Sequence, residues 1–176
     1  MTSPQDEVPS ILYLDSHLIA VCKPAGMLTQ ADDSGDESLM DQVKAWIKTE
    51  FNKPGNVFLG LIHRLDRNVS GVLLFARTSK GASRLSEQFR DKTTEKFYRA
   101  IVEGQPEQEQ ASLYHHLRKE KNLKSTVFPR PGKDTQHAEL EYKTLKNYES
   151  TRLLEIKLHT GRFHQIRAQM AFIGHP

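Results

Sequence analysis

A mixed α+β fold, with a largely antiparallel central sheet and flanking helices, is what this 176-residue sequence predicts. Three observations carry that prediction. Apolar and polar residues alternate through 138–143 and 154–159, the pattern of half-exposed strands. Segments beginning near Leu39 and Ser79 place apolar residues at helical spacing behind side chains suited to capping. Two short apolar runs, Val57 to Ile62 and Val72 to Ala76, have the length and composition of buried strands.

In chain order, Ile11 to Leu14 and Leu18 to Cys22 read as two strands joined by Asp15-Ser16-His17. Lys23-Pro24-Ala25-Gly26 breaks the pattern, since Pro and Gly punctuate, and an exposed acidic loop follows to Glu37. Ser38, with Asp41 three residues on, predicts a helix from about Leu39 to Phe51, stopped by Pro54-Gly55 and burying Leu39, Val43, Trp46 and Ile47. Thr78 or Ser79 starts a second helix to about Arg90, with Ala82, Leu85 and Phe89 inward. Thr93 to Glu103 reads as a strand with Lys96, Tyr98 and Ala100 on one face and Phe97, Arg99 and Ile101 on the other.

Residues 115–133 hold His115, His116, Arg118, Lys119, Lys121, Lys124, Arg130 and Lys133 against Glu120 alone, with Pro129 and Pro131 interleaved. They read as an extended basic arm or loop, either merely solvated or touching phosphates. The adjacent histidines have no carboxylate or Cys partner at ligand spacing, so no metal site is expected. After two alternating strands, Phe163, Ile166, Met170 and Ile173 fall at helical spacing. A helix is therefore expected to start near Gly161, where backbone N–H groups and Arg162 suit an anion.

Composition narrows the class. Cys22 is the only cysteine, which excludes an internal disulfide, and no apolar run approaches bilayer length. Met1 to Pro9 lacks the basic-then-apolar layout of a secretory signal, so the expectation is a cytoplasmic protein with no membrane partner. Net charge is +3, but residues 1–50 hold three basic against nine acidic side chains, whereas 51–176 hold 22 against 13. That asymmetry suggests a polyanion-facing portion and an acidic shoulder, or else an ordinary mixed surface.

Between the two central apolar runs sit His63, Arg64, Asp66 and Arg67, then Asn68, Ser70 and Gly71. Polar residues joining buried strands lie where loops commonly carry chemistry. Asp66 reads in two ways: a turn former neutralised by a nearby arginine, or a nucleophile or general base kept ionised by cationic neighbours.

The stretch His63-Arg64-Leu65-Asp66-Arg67-Asn68-Val69-Ser70-Gly71 resembles the H-R-L-D-x-x-T-S-G signature of the RluA-type RNA pseudouridine synthases. Val69 departs from the usual Thr, a swap that keeps shape and removes a hydroxyl. The segment from Lys96 to Gly104 resembles the family's K-x-Y-x-A-x-V-x-G, and Thr160 to Arg167 resembles its T-G-R-x-H-Q-I-R. Lys23 to Gln30 resembles, more weakly, the K-P-x-G segment that flanks the family's catalytic cleft. The motifs occur in the family's order and span most of the chain.

The resemblance implies a pseudouridine synthase fold with a catalytic cleft lined by Asp66, and isomerisation of a specific uridine in rRNA or tRNA after base flipping. Asp66 would be the catalyst, as nucleophile or as base. Tyr98 would stack on the base, Ile166 would close the apolar side, and Arg167 would stand against the carboxylate and keep it charged. Arg64 would bind the opened RNA, with Arg162, Lys119, Lys121 and Lys124 as phosphate contacts. The reaction is redox-neutral and implies no cofactor. RNA is the expected partner of a monomer. Family members continue with further strands beyond the Gly174-His175-Pro176 point, so the chain is expected to be one catalytic domain lacking that C-terminal end, without a separate N-terminal RNA-binding domain. The alternatives are a non-catalytic RNA-binding remnant of the same fold and a carboxylate-dependent nucleoside hydrolase.

Overall fold

Strand β1 (Ser10–Leu14) turns back onto β2 (Leu18–Lys23) through Asp15, whose carboxylate accepts the N–H groups of His17 and Leu18, both at 2.7 Å. The computed structural model describes residues 9–121 and 124–176, and the chain folds as two units that divide after Thr93. The α+β expectation holds, with the antiparallel strands shared between one sheet in each unit.

In the first unit the sheet order is β1-β2-β4-β3, with β3 at Gly60–Leu61 and β4 at Gly71–Ala76. Strands β2 and β4 pair from Leu18–Ala76 to Lys23–Gly71, and Ile19, Val21, Leu73 and Phe75 are fully buried. Helix α1 (Leu39–Glu50) starts at the expected capping box, where Ser38 and Asp41 each accept the other's backbone N–H. It buries Leu39, Val43 and Ile47, each contributing roughly 1.5–3 kcal/mol of transfer free energy. Trp46 is half-buried, edge-on to Phe51. Helix α2 (Ser79–Arg90), capped by the Thr78 hydroxyl on the Gly81 N–H, lies against β3 and β4. A Cβ on Gly60 would sit 3.0 Å from that of Ala82, tight enough that the helix would have to give by a few tenths of an ångström.

The expected strand from Val57 to Ile62 shrinks to two residues. In the β3–β4 register Val57 to Leu59 would face Arg77 to Ser79, where the chain leaves β4 for the cap and first residue of the next helix. Beyond Leu61 the N–H of Leu74, opposite Ile62, donates to the ring Nε2 of His63 at 3.1 Å. Phe58 lies outside the pairing and is exposed.

In the second unit the order is β5-β9-β8-β6-β7, antiparallel throughout, with β5 at Phe97–Glu103, β6 at Gln110–Lys119, β7 at Ser125–Phe128, β8 at Gln136–Asn147 and β9 at Thr151–Leu158. The alternation read from the sequence is the burial pattern: Ala138, Leu140 and Tyr142 face inward from β8, and Leu154, Ile156 and Leu158 from β9. Helix α3 (Gln165–Phe172) contributes Met170 to the same cluster. Strand β5 begins later than the expected Thr93, because that residue is tied back to the end of α2 by its N–H and hydroxyl on the Gln88 carbonyl.

Two expectations are corrected here. The described residues of 115–133 are not an extended arm: they belong to β6, β7 and the turn after them, paired from His116–Phe128 to Lys119–Ser125, with Leu117 buried. Helix α3 starts at Gln165 rather than near Gly161. The Gln165 Oε1 accepts both the Thr160 hydroxyl at 2.8 Å and the Arg162 N–H at 2.9 Å, folding 160–164 into a turn whose last residue, His164, has φ 50°. The Arg162 N–H that was to meet an anion is therefore already engaged.

Candidate active site

Nine residues, 62–70, connect β3 to β4, and the loop is gripped on either side of Asp66. On one side, the buried Thr29 hydroxyl donates to the Leu65 carbonyl at 2.8 Å and accepts the Leu65 N–H at 3.2 Å. On the other, the Arg67 carbonyl accepts the Gly26 N–H at 2.8 Å and the Lys23 ammonium at 2.9 Å. Within the loop the Val69 N–H donates to the Asp66 carbonyl at 3.0 Å, a backbone bond that needs no hydroxyl at position 69. Gly71 ends the loop at φ 145°, where a side chain would be strained. The ring of His63 stacks on Phe89 of α2 at 5.0 Å between centroids, so the loop also rests on the helix.

The sequence places Lys23 in a chain-breaking Lys-Pro-Ala-Gly stretch that resembles the family's K-P-x-G segment, and gives its side chain no role of its own. Its side chain is fully buried at the end of β2, with its ammonium donating to the carbonyls of Pro24 at 2.9 Å, Met27 at 2.6 Å and Arg67 at 2.9 Å. Burial pulls that ammonium below the ordinary lysine range, and the Asp66 carboxylate opposes the shift by favouring the charged form. A cation from the first unit therefore lies within electrostatic reach of Asp66, itself half-buried. Of the flanking arginines, Arg64 is exposed; Arg67 donates through Nε to the Gly26 carbonyl at 2.9 Å and pairs with Asp36 at 2.7 Å.

In the second unit, Tyr98 and Ile166 are both partly buried against one apolar cluster, which includes Val102, Leu154, Ile156 and Met170. Tyr98 comes from β5, on the face opposite exposed Phe97 and Ile101, as the alternation requires. Arg167 follows Ile166 on α3 and is exposed. Arg162 is half-buried, and its Nε donates to the His137 carbonyl at 2.8 Å. Lys119 sits over the Phe163 ring at 4.7 Å, while Lys121 and Lys124 are exposed near the tip of the β6–β7 hairpin.

The adjacent histidines are absorbed structurally. His115 Nδ1 lies 3.0 Å from Gln169 Nε2 and its ring meets Phe172 edge-on, while His116 meets His137. Among the described residues, no group of three His, Cys, Asp or Glu side chains could hold a metal ion. Nor is any helix among them long and apolar enough to cross a membrane. Burial holds the His115 imidazole below its ordinary pKa, and His116 adds to that shift. Between the folded value and the unfolded value near 6.5, the unfolded chain binds more protons, so stability falls as pH drops through that window. Urea midpoints at pH 7.5 and pH 5 should show this loss in the wild type and a smaller one in His115→Asn.

Comparison with known proteins gives a consistent picture. The family model described as RNA pseudouridylate synthase matches residues 17–172. The ribosomal large subunit pseudouridine synthase D of Zymomonas mobilis is 33% identical over 98% of this chain and 55% of its own length. The ribosomal large subunit pseudouridine synthase C of Escherichia coli is 32% identical over 94% and 50%. The chain thus spans about half the length of these curated relatives. The solved human RNA pseudouridylate synthase domain containing 4 superposes with a TM-score of 0.81 at 26% identity, covering 93% of this chain and 64% of that one.

Proposed function

Because this chain belongs to the RNA pseudouridylate synthase family, we propose that it isomerises uridine to pseudouridine in ribosomal large-subunit RNA, with Asp66 as the catalytic residue. The N1–C1′ bond of the nucleotide breaks, the base turns, and C5 bonds to C1′. The C5 proton is lost and N1 gains one, so atoms and electrons balance without an external donor. The observation that carries the reading is the double grip on the Asp66 loop, by Thr29 before the carboxylate and by Lys23 and Gly26 after it. A reacting carboxylate gains most when its geometry is set before substrate arrives.

The substrate base must leave the RNA stack, at a cost of a few kcal/mol. Tyr98 supplies an aromatic face for it and Ile166 an apolar wall, both backed by a packed cluster. Arg64, Arg167 and Lys121, exposed cations, meet phosphates and the opened strand, with Arg162, Lys119 and Lys124 alongside.

The test is direct. Large-subunit RNA without modifications, incubated with the chain and treated with carbodiimide, should acquire reverse-transcription stops at discrete uridines. Binding without stops would favour the non-catalytic reading, and release of free uracil would favour hydrolysis.

A further inference from the structure

The Thr29 hydroxyl engages both backbone polar groups of a single remote residue. Leu65 immediately precedes Asp66, and its carbonyl belongs to the peptide that supplies the Asp66 nitrogen. A hydroxyl has one hydrogen and two lone pairs. Here the hydrogen goes to the Leu65 carbonyl at 2.8 Å and one lone pair takes the Leu65 N–H at 3.2 Å. Both ends of the contact are buried: Thr29 is 5% exposed and Leu65 9%.

Thr29 is itself fixed. Its carbonyl accepts the Met40 N–H at 3.2 Å, and the neighbouring Leu28 carbonyl accepts the Leu39 N–H at 2.9 Å. Both donors belong to the first turn of α1, whose N–H groups have no partner within the helix. A continuous set of short bonds therefore runs from α1 through Thr29 to the peptide in front of Asp66.

We infer that Thr29 is a positioning residue for the reaction, setting the direction of the Asp66 carboxylate through the Leu65–Asp66 peptide. This rests on the catalytic role proposed for Asp66. With the hydroxyl gone, the Leu65 N–H, in the Arg64–Leu65 peptide, loses its acceptor, and the Leu65–Asp66 peptide loses the donor on its carbonyl. It can then rotate, and rotation swings the Cα–Cβ bond of Asp66. Misplacement by about 1 Å costs on the order of 100-fold in rate. RNA contacts made elsewhere stay as they were, so the loss falls on kcat rather than KM.

Thr29→Val keeps the shape and removes the hydroxyl; Thr29→Ser keeps the hydroxyl. Single-turnover rates and RNA affinity are measured on the same RNA as above, with rates normalised to the folded fraction from circular dichroism. Thr29→Val should lower the rate by roughly 10- to 100-fold with affinity within about twofold, and Thr29→Ser should restore it to within about threefold. Should Thr29→Val not fold, Thr29→Ala carries the same expectation against Thr29→Ser. An active wild type with an equally active hydroxyl-less variant overturns the positioning role while sparing the catalytic reading. Equal losses in Val and Ser variants overturn it too, since the hydroxyl would not be what matters. An inactive wild type overturns the catalytic reading itself.

Discussion

Asp66→Asn should lose pseudouridine formation by roughly 10³-fold or more while folding as the wild type does. The substitution keeps the side chain's size and removes only its charge and basicity. Bonds that shape the loop fall on the backbone of Leu65, Asp66 and Arg67, which the substitution leaves in place. The unfolding free energy should therefore change by an amount on the order of 1 kcal/mol or less. The carbodiimide assay with a melting curve on the same preparation checks both halves. A variant turning over at the wild-type rate would remove Asp66 from the chemistry. The loss of the carboxylate should also leave the Lys23 ammonium less favoured, since Asp66 is what supports its charged form.

Lys23→Met is expected to destabilise the first unit. The replacement matches the length of the lysine stem but offers no donor to three carbonyls. The Arg67 carbonyl retains the Gly26 N–H; those of Pro24 and Met27 lose the bond the ammonium made. An acceptor left without a partner in a buried place costs about 1–3 kcal/mol, but Pro24 is exposed and Met27 half-buried, so water meets part of that loss and the total is on the order of 2 kcal/mol. For a chain of 176 residues that lowers the melting temperature by roughly 4–8 °C. Lys23→Arg should not rescue it, because a planar fork does not replace a compact ammonium among converging carbonyls. Chemical denaturation of the two variants beside the wild type is the measurement. A midpoint unchanged in Lys23→Met would mean that water replaces the ammonium without cost.

What could be read from the residues alone follows physical range. The α1 cap was legible because Ser38 and Asp41 are three residues apart and the bonds they make are local. The faces of β8 and β9 were legible because strand alternation is local too. Lys23 and Thr29 were not, since their partners lie far along the chain, at Arg67 and Leu65. A lysine directly after an apolar strand, followed by Pro and Gly, was the available signal, and it read as punctuation. The short β3 was missed for a similar reason: composition marks an apolar run as strand-like, but β4 gives way to α2 opposite its first residues, and a ring nitrogen of His63 claims the Leu74 N–H opposite Ile62. The basic stretch was misread because its lysines dominate the composition, whereas Leu117 sets the register that makes it a hairpin. Asp66, Tyr98, Ile166 and Arg167 came from motif resemblance. Spacing alone left Asp66 between a turn former and a reactive group.

Strand β5 counts in twos, and that parity alone decides which of two neighbouring aromatics is presented. Tyr98 lies on the inward side opposite Ile156, while Phe97 lies outward opposite Lys157. Deleting one residue between Arg99 and Val102, with the far end of the strand still paired to Arg152, would move Phe97 into the place of Tyr98. The protein would keep a ring there and lose a phenol, so a frame error of one residue would mimic a point substitution.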